Sequence, residues 1–149
     1  MFVPDTTPLD PWLRYLWEYG ATDLHFSVGS VPRVRIDGKL LAIPEAAPTT
    51  VDEMDRIHRG LLSDDDLAAY DDRRQLDYAF SWGDVARFRA NSFYQVGRPA
   101  LALRLIPSKI PSPEQLGLPA AAGSFVNLPH GLVLVTGPTG SGKSSTLAA

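Results

Sequence analysis

The sequence contains no cysteine. Disulfides, zinc–thiolate centres, iron–sulfur clusters and thiol nucleophiles are therefore excluded. It also lacks an excess of positive charge: 14 Lys and Arg stand against 17 Asp and Glu, for a net charge of −3. That balance argues against direct nucleic-acid binding through bulk electrostatics. No targeting segment is visible either. The first ten residues carry two Asp, no Lys or Arg and no long apolar run, unlike a secretory leader. Residues 115–142 are free of Asp, Glu, Lys and Arg, yet Pro119, Asn127, Pro129, His130, Pro138 and several glycines interrupt them. A transmembrane segment is not expected there. With 149 residues, 44% of them apolar, the chain reads as one soluble domain or one domain plus part of another. At this length roughly 70% of the unfolded surface can be buried, so neither metal nor staple is needed.

Local signals predict an α+β domain over residues 1–106. Asp10 before Pro11 reads as an N-cap with proline at the first helical position; Leu13, Leu16 and Trp17 follow at helical spacing, and Gly20 stops the helix. Asp23 to Val28 alternates as a short strand. Asp37-Gly38, between runs 33–36 and 39–43, is a strong hairpin signal because both turn positions need positive φ. Thr50 and Glu53 form a capping box for a helix with Val51, Met54, Ile57 and Leu61 on one face. Ser63 caps the next helix, with Asp64, Asp65 and Asp66 near its positive end. Leu76, Tyr78 and Phe80 alternate as a strand, and 85–94 pairs with 99–106 around a turn at Gly97-Arg98. The order helix, three strands, two helices, three strands implies a largely antiparallel sheet.

Residues 107–129 differ in character. Pro107, Pro111, Pro113, Pro119 and Pro129 break every period, so this stretch reads as a linker with one helical turn near 113–116. After it, Gly131 to Thr136 is a continuous apolar run of the kind buried on both faces of a parallel sheet.

The next eight residues, Gly137, Pro138, Thr139, Gly140, Ser141, Gly142, Lys143 and Ser144, fit G-x-x-x-x-G-K-[ST] without a gap. Glycines let the backbone wrap a phosphate and point its N–H groups inward. A helix starting near Lys143 adds its positive end. The Lys143 ammonium suits β and γ phosphates, and the Ser144 hydroxyl suits a Mg²⁺ shell. These residues with Ser145 predict a site for ATP or GTP. The alternative, a glycine-rich connector, is disfavoured by the strand–loop–helix register. Hydrolysis needs a further acidic strand end and a group to orient water, which the five residues after Ser144 do not supply. The chain is thus expected to be the amino-terminal part of a longer protein, with little or no ATP turnover and at best weak nucleotide binding on its own. Residues 131–149 are expected to be disordered or to borrow contacts, the strand at 131–136 having no parallel neighbours.

Other candidates read as structural. His25 lies in an alternating strand; His58 and His130 have no partners at ligand spacing. Asp64 to Asp66 are explained by capping, and Trp12, Tyr15 and Trp17 by core packing. Arg33 and Arg35 flank a hairpin without aromatic interleaving, a weak nucleic-acid signal.

GLVLVTGPTGSGKSSTLAA (131–149), ARFRANSFYQ (86–95), LRLIPSKIPSPEQLGLP (103–119) and ATDLHFSVGSVPRVRIDGKL (21–40) resemble the PilT-type twitching-motility ATPases of the type II/IV secretion superfamily. The resemblance runs from about residue 10 to the end. It implies a PAS-like N-terminal domain (1–106), the linker (107–129) and the start of a RecA-like P-loop ATPase domain (130–149). It also implies a homo-hexamer that binds ATP and Mg²⁺, is cytoplasmic and peripheral at the inner membrane, works with a pilus platform protein, and couples hydrolysis to pilus retraction. A pilus assembly or type II secretion ATPase, and a non-catalytic nucleotide-binding module, are the alternatives. Family arginines that act on nucleotide phosphates map onto Arg89 and Arg104, with Lys143 in the loop. If Gly97-Arg98 is the turn, Arg89 faces Ile106 and Arg104 faces Asn91, making the two arginines diagonal neighbours on one face with Arg87 beside them. The competing reading pairs them with Asp77 or Asp84 on a solvent face.

Overall fold

A computed structural model describes residues 2–107, 111–138 and 141–149. They divide into two compact units, residues 1–108 and 109–149.

In the first unit a 3-10 turn (Thr7–Leu9) leads into α1 (Asp10–Glu18), then β1 (Asp23–Ser27), β2 (Arg33–Ile36) and β3 (Lys39–Ala42). Helices α2 (Val51–Leu61) and α3 (Asp64–Arg73) follow, then β4 (Gln75–Trp82), β5 (Ala86–Gln95) and β6 (Arg98–Pro107). The strands form one antiparallel sheet in the order β3-β2-β1-β6-β5-β4. The expected α+β class and element order are those observed.

Local chemistry explains most boundaries. The Thr50 hydroxyl accepts from the Glu53 amide and that of Ser63 from the Asp66 amide, so both helices start on side-chain caps. Asp37 and Gly38 both have positive φ, as the tight β2–β3 turn requires. Two expectations need correction. Asp10 does not cap α1: it is already helical, and its carboxylate accepts from the Thr6 hydroxyl (3.2 Å) and Trp82 Nε1 (3.0 Å). A tertiary partner has claimed the group that a local amide would otherwise take. The β5–β6 turn is Val96-Gly97, not Gly97-Arg98; both have positive φ, and Gln95 pairs with Arg98.

Alternation sorts the sheet into two faces. Leu24, Phe26, Val34, Phe80, Phe88, Ala90, Leu101 and Leu103 are buried together with Leu13 and Leu16 of α1 and Met54, Ile57 and Leu61 of α2. Phe26 and Phe88 are among the fully buried side chains; burying each stabilises the fold by roughly 1.5–3 kcal/mol. Trp12 packs edge-on against Phe26 and Tyr15 stacks on Tyr19, whereas Trp17 is exposed. Core packing therefore holds for Trp12 and Tyr15 only. The opposite phase of the same strands carries Asp23, His25, Arg35, Arg87, Arg89 and Arg104.

The N-terminal segment is pinned to α2. The Asp5 amide donates to the Gly60 carbonyl (2.8 Å), and a Cβ at Gly60 would sit 2.5 Å from the Asp5 carbonyl oxygen. A Gly60→Ala substitution must push this segment away. Because alanine also favours the helix by about 1 kcal/mol, global stability is expected to change little. Exchange of the Asp5 amide should accelerate at least about fivefold, the equivalent of one lost backbone hydrogen bond of about 1 kcal/mol. Amide hydrogen exchange checks this directly, and unchanged protection at Asp5 would contradict it.

In the second unit the expected turn is present: the amides of Leu116, Gly117 and Leu118 reach back to Ser112, Glu114 and Pro113. Helix α4 (Ala120–Ser124) and a 3-10 turn (Phe125–Asn127) follow, beyond the single turn expected in this stretch. Three consecutive alanines after Pro119 supply enough helix propensity for one short element inside the proline-rich stretch. Helix α5 spans Lys143–Ala148. Residues 131–137 form no strand, and Leu132 and Leu134 are exposed. An apolar run becomes a strand only when a neighbour accepts its hydrogen bonds; none is present among the described residues, and no borrowed ladder replaces it.

Candidate functional site

At Gly137 and Gly142 the glycine-rich loop has a backbone that favours glycine. Gly142, at φ 87°, is the left-handed N-cap of α5. Gly137 has φ 153°, and a Cβ there would meet the Ser141 hydroxyl at 2.6 Å. Side chains at either position would be strained or blocked. Lys143 Nζ donates to the carbonyls of Gly137 (2.8 Å) and Pro138 (2.7 Å), drawing the start of the loop around its ammonium. An ammonium has three donors, so these two contacts leave one. Ser144 and Ser145 are exposed in the first turn of α5. Thr139 and Gly140 lie outside the described residues.

The arginines of the first unit are arranged by the sheet ladder. Arg35, Asp23, Arg104 and Arg89 are successive cross-strand partners on β2, β1, β6 and β5, so they form one row across four strands. Arg89 and Arg104 are therefore directly opposite each other and not diagonal; Arg87 faces Ile106. The correction follows from the turn. Moving it back by one residue slides each partner by two, which preserves the shared face but closes the gap. Like charges at directly opposed positions repel, so the row needs carboxylates.

Asp23 supplies the main one. It is buried; Arg104 Nε donates to Oδ1 at 2.8 Å, Arg35 Nε approaches Oδ2 at 3.3 Å, and the Thr22 hydroxyl donates to Oδ2 at 2.8 Å. Burial pushes its pKa up, but the Thr22 hydrogen bond and Arg104 outweigh this and hold the carboxyl below the usual range. The second partner is weak. Asp77 lies 3.9 Å from Arg89, with both side chains exposed, a geometry worth little in water. Arg89 thus follows the solvent-face reading by contact, whereas the principal partner of Arg104 is an acid outside the pairs considered from sequence. Its signal was an acid at the polar phase of β1, preceded by a hydroxyl, at the level of two arginines.

His25 and His58 sit in different surroundings, and the Nε2 of each is buried without a hydrogen-bond partner. His25 lines a cleft of about 670 Å³ with Ser27, Arg33, Gln95 and Arg98. Burial lowers its pKa; Asp23 opposes this, and Arg35 and Arg104 add to it. His58 is buried beside Tyr70, and its Nε2 has no hydrogen-bond partner. Among the described residues no three potential ligands cluster for a metal, and no helix is long and apolar enough to cross a membrane.

Comparison with known proteins adds a family. The family model described as "Type II/IV secretion system protein" matches residues 9–149. The chain is 38% identical over 137 residues to the type IV pilus retraction ATPase PilT of Pseudomonas aeruginosa, covering 92% of this chain and 40% of that protein. It is 41% identical over 132 residues to the YggR protein of Escherichia coli (strain K12), covering 89% of this chain and 39% of the other. Among solved structures, the pilus retraction motor PilT with bound ADP superposes with a TM-score of 0.79 at 39% identity, covering 92% and 40% of the two chains. The chain spans about 40% of the length of these relatives.

Proposed function

Because the chain belongs to the type II/IV secretion system protein family, we propose that it is the N-terminal portion of a hexameric ATPase motor that couples ATP hydrolysis to type IV pilus retraction. The observation that carries this reading is the conjunction of two features. One is the Lys143 ammonium at the start of a helix, bonded to the carbonyls of Gly137 and Pro138. The other is a pair of directly opposed arginines on an antiparallel sheet, in a chain similar to a retraction motor over 92% of its length.

In this reading residues 1–106 are a PAS-like domain, 107–129 a linker and 130–149 the start of a RecA-like domain. Gly137, Pro138, Thr139, Gly140, Ser141, Gly142, Lys143, Ser144 and Ser145 cradle the phosphates of ATP. Backbone N–H groups bind phosphate oxygens, and Lys143 gives up loop carbonyls to hold the β and γ phosphates. Arg89 and Arg104 meet the charge that grows on the transferred phosphoryl group, where a planar fork suits two oxygens. The donor chemistry fits Mg²⁺: the exposed Ser144 hydroxyl is a hard oxygen ligand next to Lys143. When bound there, the ion neutralises charge on the β and γ oxygens. The ring is cytoplasmic, peripheral at the inner membrane, and acts on a pilus platform protein.

The decisive experiment deletes the gene in its host and scores pili and motility. Retraction predicts surface pili that persist, or increase, without twitching, with motility restored by the wild-type gene. Bald cells would identify an assembly motor; intact piliation and motility with failed export would identify a secretion ATPase. Complementation by an Arg89→Ala gene at wild-type hydrolysis would remove Arg89 from the site.

A further inference from the structure

Arg104 and Arg89 share a level of the sheet but are held very differently. Arg104 Nε is bonded at 2.8 Å to a buried carboxylate, itself oriented by a 2.8 Å bond from the Thr22 hydroxyl. Arg89 has an exposed carboxylate at 3.9 Å. A guanidinium bonded through Nε has one orientation fixed and still offers both terminal nitrogens as a fork. The Arg104 side chain is 70% exposed despite its buried partner, so the gripped end lies at the sheet and the fork lies in solvent.

We propose that Asp23 is a positioning residue: it clamps Arg104 through Nε so that its terminal nitrogens stand preorganised for phosphate. This rests on the reading of Arg104 as a phosphate-binding group. Preorganised donors avoid reorganisation as charge develops, and a loosely tethered arginine must be ordered by the substrate itself. Asp23 therefore acts on the chemical step through Arg104 and touches no nucleotide. The second partner of Asp23, Arg35, gives its Nε to the other carboxylate oxygen and Nη1 to the Gly38 carbonyl (3.0 Å). Arg35 is tied into the β2–β3 turn and contributes structure only.

The test is a kinetic cycle on ATP hydrolysis by the full-length protein. Arg104→Ala establishes the base reading; wild-type hydrolysis by that variant would end the phosphate role of Arg104, and the clamp with it. Given a loss there, Asp23→Asn should lower kcat about tenfold, with KM for ATP changing less than about threefold. The double variant should be no slower than Arg104→Ala alone. Arg35→Ala should stay within about twofold of wild type, whereas a purely structural triad would make it as damaging as Asp23→Asn. Arg104→Lys should fall as far as Arg104→Ala, because lysine has no Nε for Asp23 to hold and no planar fork left over to face a phosphate. If Asp23→Asn fails to fold, the lysine variant decides alone. Additive losses in the double variant, or a lysine variant at wild-type kcat, would overturn the proposal.

Discussion

Replacing Lys143 by alanine in the full-length protein is expected to reduce ATP hydrolysis at least about 100-fold, the scale of removing one preorganised donor from a charged transition state. The geometry gives two reasons for so large an effect. The ammonium is the cationic group of the loop, and its bonds to the Gly137 and Pro138 carbonyls also draw together the first part of the cradle. Alanine removes the charge and the tie at once. Steady-state phosphate release checks the rate, and titration with a fluorescent ATP analogue checks affinity. A Lys143→Ala protein that retains half the wild-type rate would refute the assigned role of the loop. The sheet domain is expected to be untouched, because Lys143 belongs to the other compact unit. Its tryptophans, Trp12, Trp17 and Trp82, all lie within residues 1–108 and provide a fluorescence control for folding.

Acid should destabilise that domain in a defined window. Burial depresses the His58 pKa from 6.5 to about 4, against the opposing pull of Asp55 and Asp71. The unfolded chain then binds a proton between those two values that the native state refuses. Stability is flat above about pH 6.5 and falls as the pH drops towards 4, by about 3 kcal/mol in all. Half-buried His25 is shifted the same way and adds to the loss. Asp23, with its pKa lowered, holds its stabilisation through this window and loses it only as the pH falls below the ordinary carboxylate range. Urea unfolding of the 149-residue chain, followed by tryptophan fluorescence at pH 7 and pH 4.5, measures the difference. His58→Phe should remove most of it, since the unpartnered Nε2 leaves no hydrogen bond to lose and the ring would keep its place against Tyr70. An equally steep fall in that variant would assign the acid sensitivity elsewhere.

The architecture of the first unit was largely legible because its information is local. The caps at Thr50 and Ser63, the Asp37-Gly38 turn and the alternation of β4 to β6 each act within a few residues. What escaped was tertiary. For Asp10 a local amide is the only partner visible in sequence, whereas Trp82 lies far along the chain. At the β5–β6 turn, glycine marks a positive φ without saying whether it comes first or second. Here Val96 takes the first such position at φ 50°, which a β-branched residue rarely does. The importance of Asp23 exists only after β2 and β6 arrive on either side. The glycine-rich loop is legible as a motif, but the return of Lys143 to the Gly137 and Pro138 carbonyls is not.

The Val96-Gly97 hairpin tip has a consequence for how this domain can vary. Strand β6 is registered twice, against β5 and against β1. A single residue inserted at the tip either widens the two-residue turn or, if β6 slides to keep the turn tight, sets these two alignments in conflict. Following β5, the inserted residue would swing Arg104 towards the hydrocarbon interior; following β1, it would have to be extruded as a bulge. Length changes within residues 44–48, between the buried Ile43 and Thr49, leave both alignments untouched. Homologues should therefore tolerate insertions there while keeping the tip at constant length, because the separation of the two guanidinium groups is ruled by the lattice of the sheet.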